Sequence, residues 1–142
     1  MGDGPHAVIL AAGQGKRMRS ALPKVLHPLG GRPFILYAVE AAQAATGSPP
    51  VVVIAPGDAR LREVLGDAAI CVEQAAPLGT GDALRSVPES QRGPGPVLVL
   101  VGDAPLIRAE TLERLIAAHA SSPRACTPVS YTHLDVYKRQ RQ

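Results

Sequence analysis

Tryptophan is absent, phenylalanine occurs once and tyrosine three times in 142 residues, so aromatic side chains make up only 3% of the chain. The core must therefore be built from Val, Ile, Leu and Ala. A nucleic-acid surface of basic residues interleaved with stacking aromatics finds no support. Cysteine is scarce too: Cys71 and Cys126 stand alone, with neither metal-ligand spacing nor a disulfide framework, the usage expected of a reducing cytosol. No apolar run is long enough to span a bilayer and no signal-peptide pattern is present, so the expectation is a cytoplasmic protein without a membrane partner. The formal net charge of +3 is modest and unevenly placed, because Lys138, Arg139 and Arg141 against Asp135 put most of it in the last fifteen residues.

What the chain does have is apolar residues, 46% of the total, with 14 Gly and 14 Pro recurring between the apolar runs. That length and composition suit one domain with a real core and many short connections. The organising stretch is Ala7-Val8-Ile9-Leu10-Ala11-Ala12-Gly13-Gln14-Gly15-Lys16-Arg17-Met18. A continuous apolar run that stops in a Gly-rich turn suits a central parallel strand buried on both faces. Small residues at the turn let a phosphate approach backbone N–H groups, with Lys16 and Arg17 supplying positive charge. It is not a P-loop: Leu10 stands where the first Gly belongs and Arg17 where Ser or Thr belongs. Nor is it the dinucleotide fingerprint, whose third Gly is replaced by Met18. By itself the stretch reads equally as a strand-ending turn with solvated charges.

The rest of the chain supplies partners for it. Strands are expected at His6–Ala11, Val51–Ala55, Ile70–Glu73 and Val97–Val101, the last fully buried. Helices are expected at 34–45, where Ile35, Ala38, Val39 and Ala42 share a face between Pro33 and Gly47, at Ala59–Leu65, at Asp82–Val87 and around Thr111–His119. Arg19–Pro33 carries three prolines and Gly30-Gly31 and reads as an irregular excursion, within which Pro23 holds the backbone beside Lys24. Pro88–Pro96 reads as a loop of turn formers.

Strands alternating with helices imply a mainly parallel sheet with helices on both faces, a three-layer Rossmann-like α/β fold. Ligands of such sheets bind beyond the carboxyl ends of the strands, which collects Gly13–Arg17, Gln74–Gly81 and Asp103 on one rim. Asp103, directly after a strand and preceded by Gly102, suits Mg²⁺, which takes one or two carboxylates plus waters and substrate phosphates. Singly, each feature has a plainer reading: Asp103 closes a turn, Lys24 is a solvated loop lysine, and Gly79-Thr80-Gly81 starts a helix. His27 and His119 are not expected to be catalytic. Together the features describe a nucleotide-phosphate site that uses Mg²⁺ rather than a Walker loop.

Three ordered blocks then carry a family resemblance over about residues 7–120. Leu10-Ala11-Ala12-Gly13-x-Gly15-x-Arg17-Met18 with Leu22-Pro23-Lys24-Val25-Leu26-His27 and Gly30-Gly31-Arg32-Pro33 resembles the sugar-nucleotidyltransferase signature. Glu73-Gln74-x-x-Pro77-Leu78-Gly79-Thr80-Gly81 and Val101-Gly102-Asp103-x-Pro105-Leu106-Ile107 resemble its next two blocks. The version most similar is the bifunctional bacterial N-acetylglucosamine-1-phosphate uridyltransferase/glucosamine-1-phosphate acetyltransferase family. The resemblance implies uridyl transfer from UTP to N-acetylglucosamine 1-phosphate, giving UDP-N-acetylglucosamine and pyrophosphate.

Carried over by residue, Leu10, Ala11, Ala12 and Gly13 would line the nucleotide, and Gln74, Gly79 and Thr80 would recognise the uracil. Val101 and Gly102 would also belong to the nucleotide site. Arg17 and Lys24 would hold the phosphates and act in catalysis, and Asp103 would bind Mg²⁺. A molybdopterin guanylyltransferase-like enzyme of the same fold and a non-catalytic nucleotide-binding module are the alternatives.

Two departures qualify the resemblance. Asp82 stands where many relatives carry His after Gly-Thr-Gly. The family's later Asp-Pro-x-Gly-Tyr-Gly-Arg segment, its sugar-binding residues, its second metal ligand and its acetyltransferase domain have no counterpart here. Residues 1–6 are expected to be a disordered leader, 7–127 the nucleotide-binding part of the domain, and 128–142, where two of the three tyrosines fall, a non-native tail resembling vector read-through. The fragment is accordingly expected to be inactive, and its parent a homo-oligomer through the absent domain.

Overall fold

The structure, a computed structural model, describes residues 4–13 and 20–128. Its strands are β1 (His6–Leu10), β2 (Pro28–Leu29), β3 (Arg32–Pro33), β4 (Val51–Ile54), β5 (Ile70–Glu73) and β6 (Val97–Val101). Its helices are α1 (Phe34–Thr46), α2 (Ala59–Leu65), α3 (Thr80–Arg85), α4 (Glu89–Arg92) and α5 (Ala109–Ala120). The four apolar strands form one parallel sheet in the order β5-β4-β1-β6. The leader expected over residues 1–6 meets the sheet at its end, since His6 opens β1 and pairs with Val97.

Side-chain alternation sorts the core into two layers, as the period of two requires. Ala7, Ile9, Val52, Ile54, Leu98 and Leu100 point to the face covered by α1, α2 and α5, where they meet Ile35, Ala38, Leu61, Leu65 and Leu112. Val8, Val51 and Val53 point to the opposite face, packed by Ala83 and Val87 at and just beyond α3. Helices on both faces of a mainly parallel sheet, as the alternation of elements implied, are what is found. β1 occupies the interior of the sheet, with Ala7, Val8 and Ile9 buried.

Three expectations need correction. β6 is not buried throughout: Val99 and Val101 are 40% and 52% exposed, because among the described residues β6 has a partner only in β1 and this face carries only the short α3. The excursion before α1 is more regular than its prolines suggested. β2 and β3 pair antiparallel around Gly30 and Gly31, whose φ values of +57° and +82° build a two-residue turn that favours glycine at both positions. The loop at 88–96 contains the single turn α4. α1 behaves as its punctuation required, starting after Pro33 and stopping at Gly47 in the left-handed conformation. Residues 129–142, which hold all but Pro128 of the expected non-native tail, lie outside the described residues, as do residues 1–3 of the leader.

Candidate active site

Because every strand of the sheet runs the same way, the four carboxyl ends share one rim, and the ladder pins the loops that leave it. Ala11 N–H donates to Val53 O at 2.8 Å, Gln74 N–H to Ile54 O at 2.9 Å and Gly102 N–H to Leu10 O at 3.0 Å. Three of the expected site segments are thereby placed side by side. Arg17, with Gln14, Gly15, Lys16 and Met18 of the same turn, lies outside the described residues.

On the β6 side of this rim, Lys24 Nζ lies 2.6 Å from Asp103 Oδ2. Lys24 opens a 3-10 turn, Lys24–Leu26, whose Val25 and Leu26 are buried against the core, so the anchor of the ammonium is apolar packing rather than Pro23 alone. His27 Nε2 donates to Leu22 O at 3.2 Å and ties the same loop together. Asp103 follows Gly102, which is buried under Val25, Ile35 and Ala11. A Cβ at Gly102 would lie 2.8 Å from Ile35 Cδ1 and 3.1 Å from Val25 Cγ1. A larger residue there would push first on the tip of Ile35, so glycine gives the closest passage of the chain that brings Asp103 up to Lys24.

On the β4–β5 side, Ala12, Ala55, Pro56, Gln74 and Pro77 line a small open cleft. Gln74 is 5% exposed, the only buried polar or charged residue among those described. Its amide Nε2 donates to Asp82 Oδ2 at 2.8 Å and to Gly79 O at 3.3 Å. Gly79 has φ +108° and ψ −180°, a backbone region open essentially to glycine alone, and caps α3, whose first residue Thr80 is exposed. Leu10 and Ala12 are half-buried, Gly13 is exposed and Ala11 is buried.

A roomier hollow, lined by residues including His6, Ser48, Val51 and Gln91, opens at the amino ends of the strands. No residue singled out for chemistry falls in it, and α/β sheets bind ligands at the other end.

The residues near the rim fit a metal in a limited way. Among the described residues no three His, Cys, Asp or Glu side chains cluster, and Asp103 has the Lys24 ammonium against it. That donor set suits a Mg²⁺ completed by waters and phosphates, and no all-protein cage.

Two features escaped the sequence. Glu73 Oε1 accepts from Arg62 Nη2 at 2.8 Å and from Gly57 N–H at 3.3 Å, joining β5 to the β4–α2 loop behind the cleft. The Arg62 guanidinium and the Gly57 N–H hold the Glu73 carboxyl below the usual carboxylate range, and Glu73 raises Arg62 in return. The second is the Gln74–Asp82 contact, for which sequence spacing carried no signal. Cys71 is pushed up by burial and stays a packed thiol, in line with its reading as isolated.

The sequence pattern of the MobA-like NTP transferase domain family matches residues 7–137. The chain belongs to that family. As a nucleotidyltransferase-family chain it is 48% identical over 127 residues to the "Bifunctional protein GlmU" of Xylella fastidiosa (strain 9a5c), covering 88% of this chain and 26% of that protein. The chain thus spans about a quarter of the length of that relative. Among solved structures it resembles a nucleotidyl transferase from Methanothermobacter, with TM-score 0.68 and 27% identity over 82% of this chain and 58% of that one. A CMP:2-keto-3-deoxy-manno-octonic acid synthetase complexed with CTP superposes with TM-score 0.65 at 26% identity, covering 84% of this chain and 48% of that one. The fold and the nucleotidyltransferase assignment implied by the three sequence blocks are those found.

Proposed function

We propose that the chain is the nucleotide-binding part of an enzyme that transfers uridylate from UTP to N-acetylglucosamine 1-phosphate, releasing pyrophosphate. The observation that carries this reading is the rim itself: a lysine–carboxylate pair on one side of the β1 loop and a small cleft floored by a buried amide on the other. The identity to a GlmU protein supports the choice of UTP and amino-sugar phosphate over other members of the fold.

In this reading the base enters the cleft beside Gln74, Gly79 and Thr80, and the phosphates cross the Leu10–Gly13 loop toward Lys24. The sugar-phosphate oxygen forms a new bond to the α-phosphorus of UTP while the α–β bridging bond breaks and its electron pair leaves with pyrophosphate. Lys24 and Arg17 neutralise charge that builds on the leaving group, and the rim holds donor and acceptor in line, so catalysis is positioning and electrostatics rather than a covalent nucleophile. Asp103 would hold Mg²⁺, which when bound supplies charge neutralisation to the phosphate oxygens. In this reading the enzyme acts as a cytoplasmic homo-oligomer.

Titration calorimetry with UTP, GTP, CTP and TTP in the presence of Mg²⁺ tests the reading. Tightest binding of UTP is expected. Preference for GTP would replace the uridine assignment with a guanylyltransferase, a reading favoured by the match to a MobA-like family.

A further inference from the structure

We propose that Asp82 is a positioning residue that locks the Gln74 amide with its oxygen toward the cleft, and so selects nucleobases presenting an N–H donor at that edge. The proposal rests on reading the cleft as the nucleobase site. Gln74 has two amide hydrogens and two neighbours for them, the Asp82 carboxylate at 2.8 Å and the Gly79 carbonyl at 3.3 Å. A carboxylate and a carbonyl only accept, so both neighbours require the nitrogen, and the reversed amide would set oxygen against oxygen at both positions. Gln74 Oε1 makes no hydrogen bond among the described residues and is the group left for a ligand.

The side chain is 5% exposed, so an acceptor on a bound base would face Gln74 Oε1 with little water between them. Uracil offers an N3–H donor where cytosine offers the N3 lone pair. Guanine offers an N1–H where adenine offers the N1 lone pair. The lock therefore favours uracil over cytosine, and guanine over adenine, and is indifferent to the size difference between the two pairs. An unmet buried polar contact of this kind is worth about ten-fold or more in affinity.

The test measures dissociation constants for UTP, CTP, GTP and ATP with Mg²⁺, for the chain and for its D82N and D82A variants. Asn at 82 donates as readily as it accepts, and Ala removes the partner without adding bulk. The expected result is UTP over CTP, and GTP over ATP, by about ten-fold or more, with both ratios falling to within about threefold in D82N and D82A. In the ligand-free chain the Gln74 side-chain N–H signals in a ¹⁵N correlation spectrum are expected to move in both variants. Unchanged ratios, uniform weakening of all four nucleotides, or unmoved Gln74 signals would overturn the lock. Preference for GTP over UTP with both ratios still collapsing would overturn the uridine reading alone and support the lock. No nucleotide binding by the unaltered chain would overturn both.

Discussion

Lys24 and Asp103 face each other at 2.6 Å across the carboxyl rim of the sheet, one from the 3-10 turn before the β2–β3 hairpin and the other from the end of β6. The two groups expected to hold phosphate and metal thus hold each other. Both side chains are partly exposed, so the pair itself is worth only about 0.2–1 kcal/mol, little enough for a metal–triphosphate to displace.

That pairing makes opposite predictions for two ligands. In K24M the Asp103 carboxylate is released, and Mg²⁺ alone should bind up to about five-fold more tightly. UTP should bind that variant at least about ten-fold more weakly, through loss of a charged hydrogen bond to phosphate. Calorimetry with each ligand separately reads both effects. Changes of the same sign for Mg²⁺ and UTP would show that the ion pair does not link the two sites.

Gly102 places Asp103 by leaving room under Ile35 and Val25. G102A should destabilise the fold by about 1–3 kcal/mol, as overpacking of a closed core does. Its added methyl would meet Ile35 Cδ1 first, at 2.8 Å. I35V removes that atom, so the G102A/I35V double variant should lose less stability than the two single variants added together. Urea unfolding of all four proteins checks this, and strict additivity would mean that the clash is relieved elsewhere.

The Arg62–Glu73 pair gives a pH signature. With the folded Glu73 carboxyl held below its usual range, its contribution is fully present above the ordinary carboxylate value of about 4.3 and is lost as pH falls through the lowered folded value. E73Q should therefore be less stable than the parent chain at pH 7, with the difference closing below about pH 4. Unfolding curves across that range decide it. A difference that persists at the acid end would assign the effect to packing rather than charge.

Much of this was legible in the sequence because it is local. The apolar run Ala7–Ala11, the helical spacing of Ile35, Ala38, Val39 and Ala42, and the Pro33 and Gly47 boundaries each reflect one element's own burial pattern. Gly30-Gly31 went unread as a hairpin because three prolines in the surrounding segment argued against regular structure. β6 was read as buried because Val97-Leu98-Val99-Leu100-Val101 is apolar throughout, and periodicity alone cannot tell an edge strand from an interior one when both faces carry valine or leucine.

The sequence by itself determined that strands and helices alternate, that the strands run parallel, and that Gly13, Gln74 and Asp103 all leave the sheet at its carboxyl end. Those follow from element order and the handedness of crossover connections. Tertiary structure alone decided which of them meet. Strand order β5-β4-β1-β6 puts Asp103 beside the Lys24 loop and away from Gln74, and the start of α3 after Gly79 brings Asp82 to the Gln74 amide. The physical reason is that burial pattern is written along the chain, whereas the pairing of polar groups across the rim depends on how distant segments are stacked.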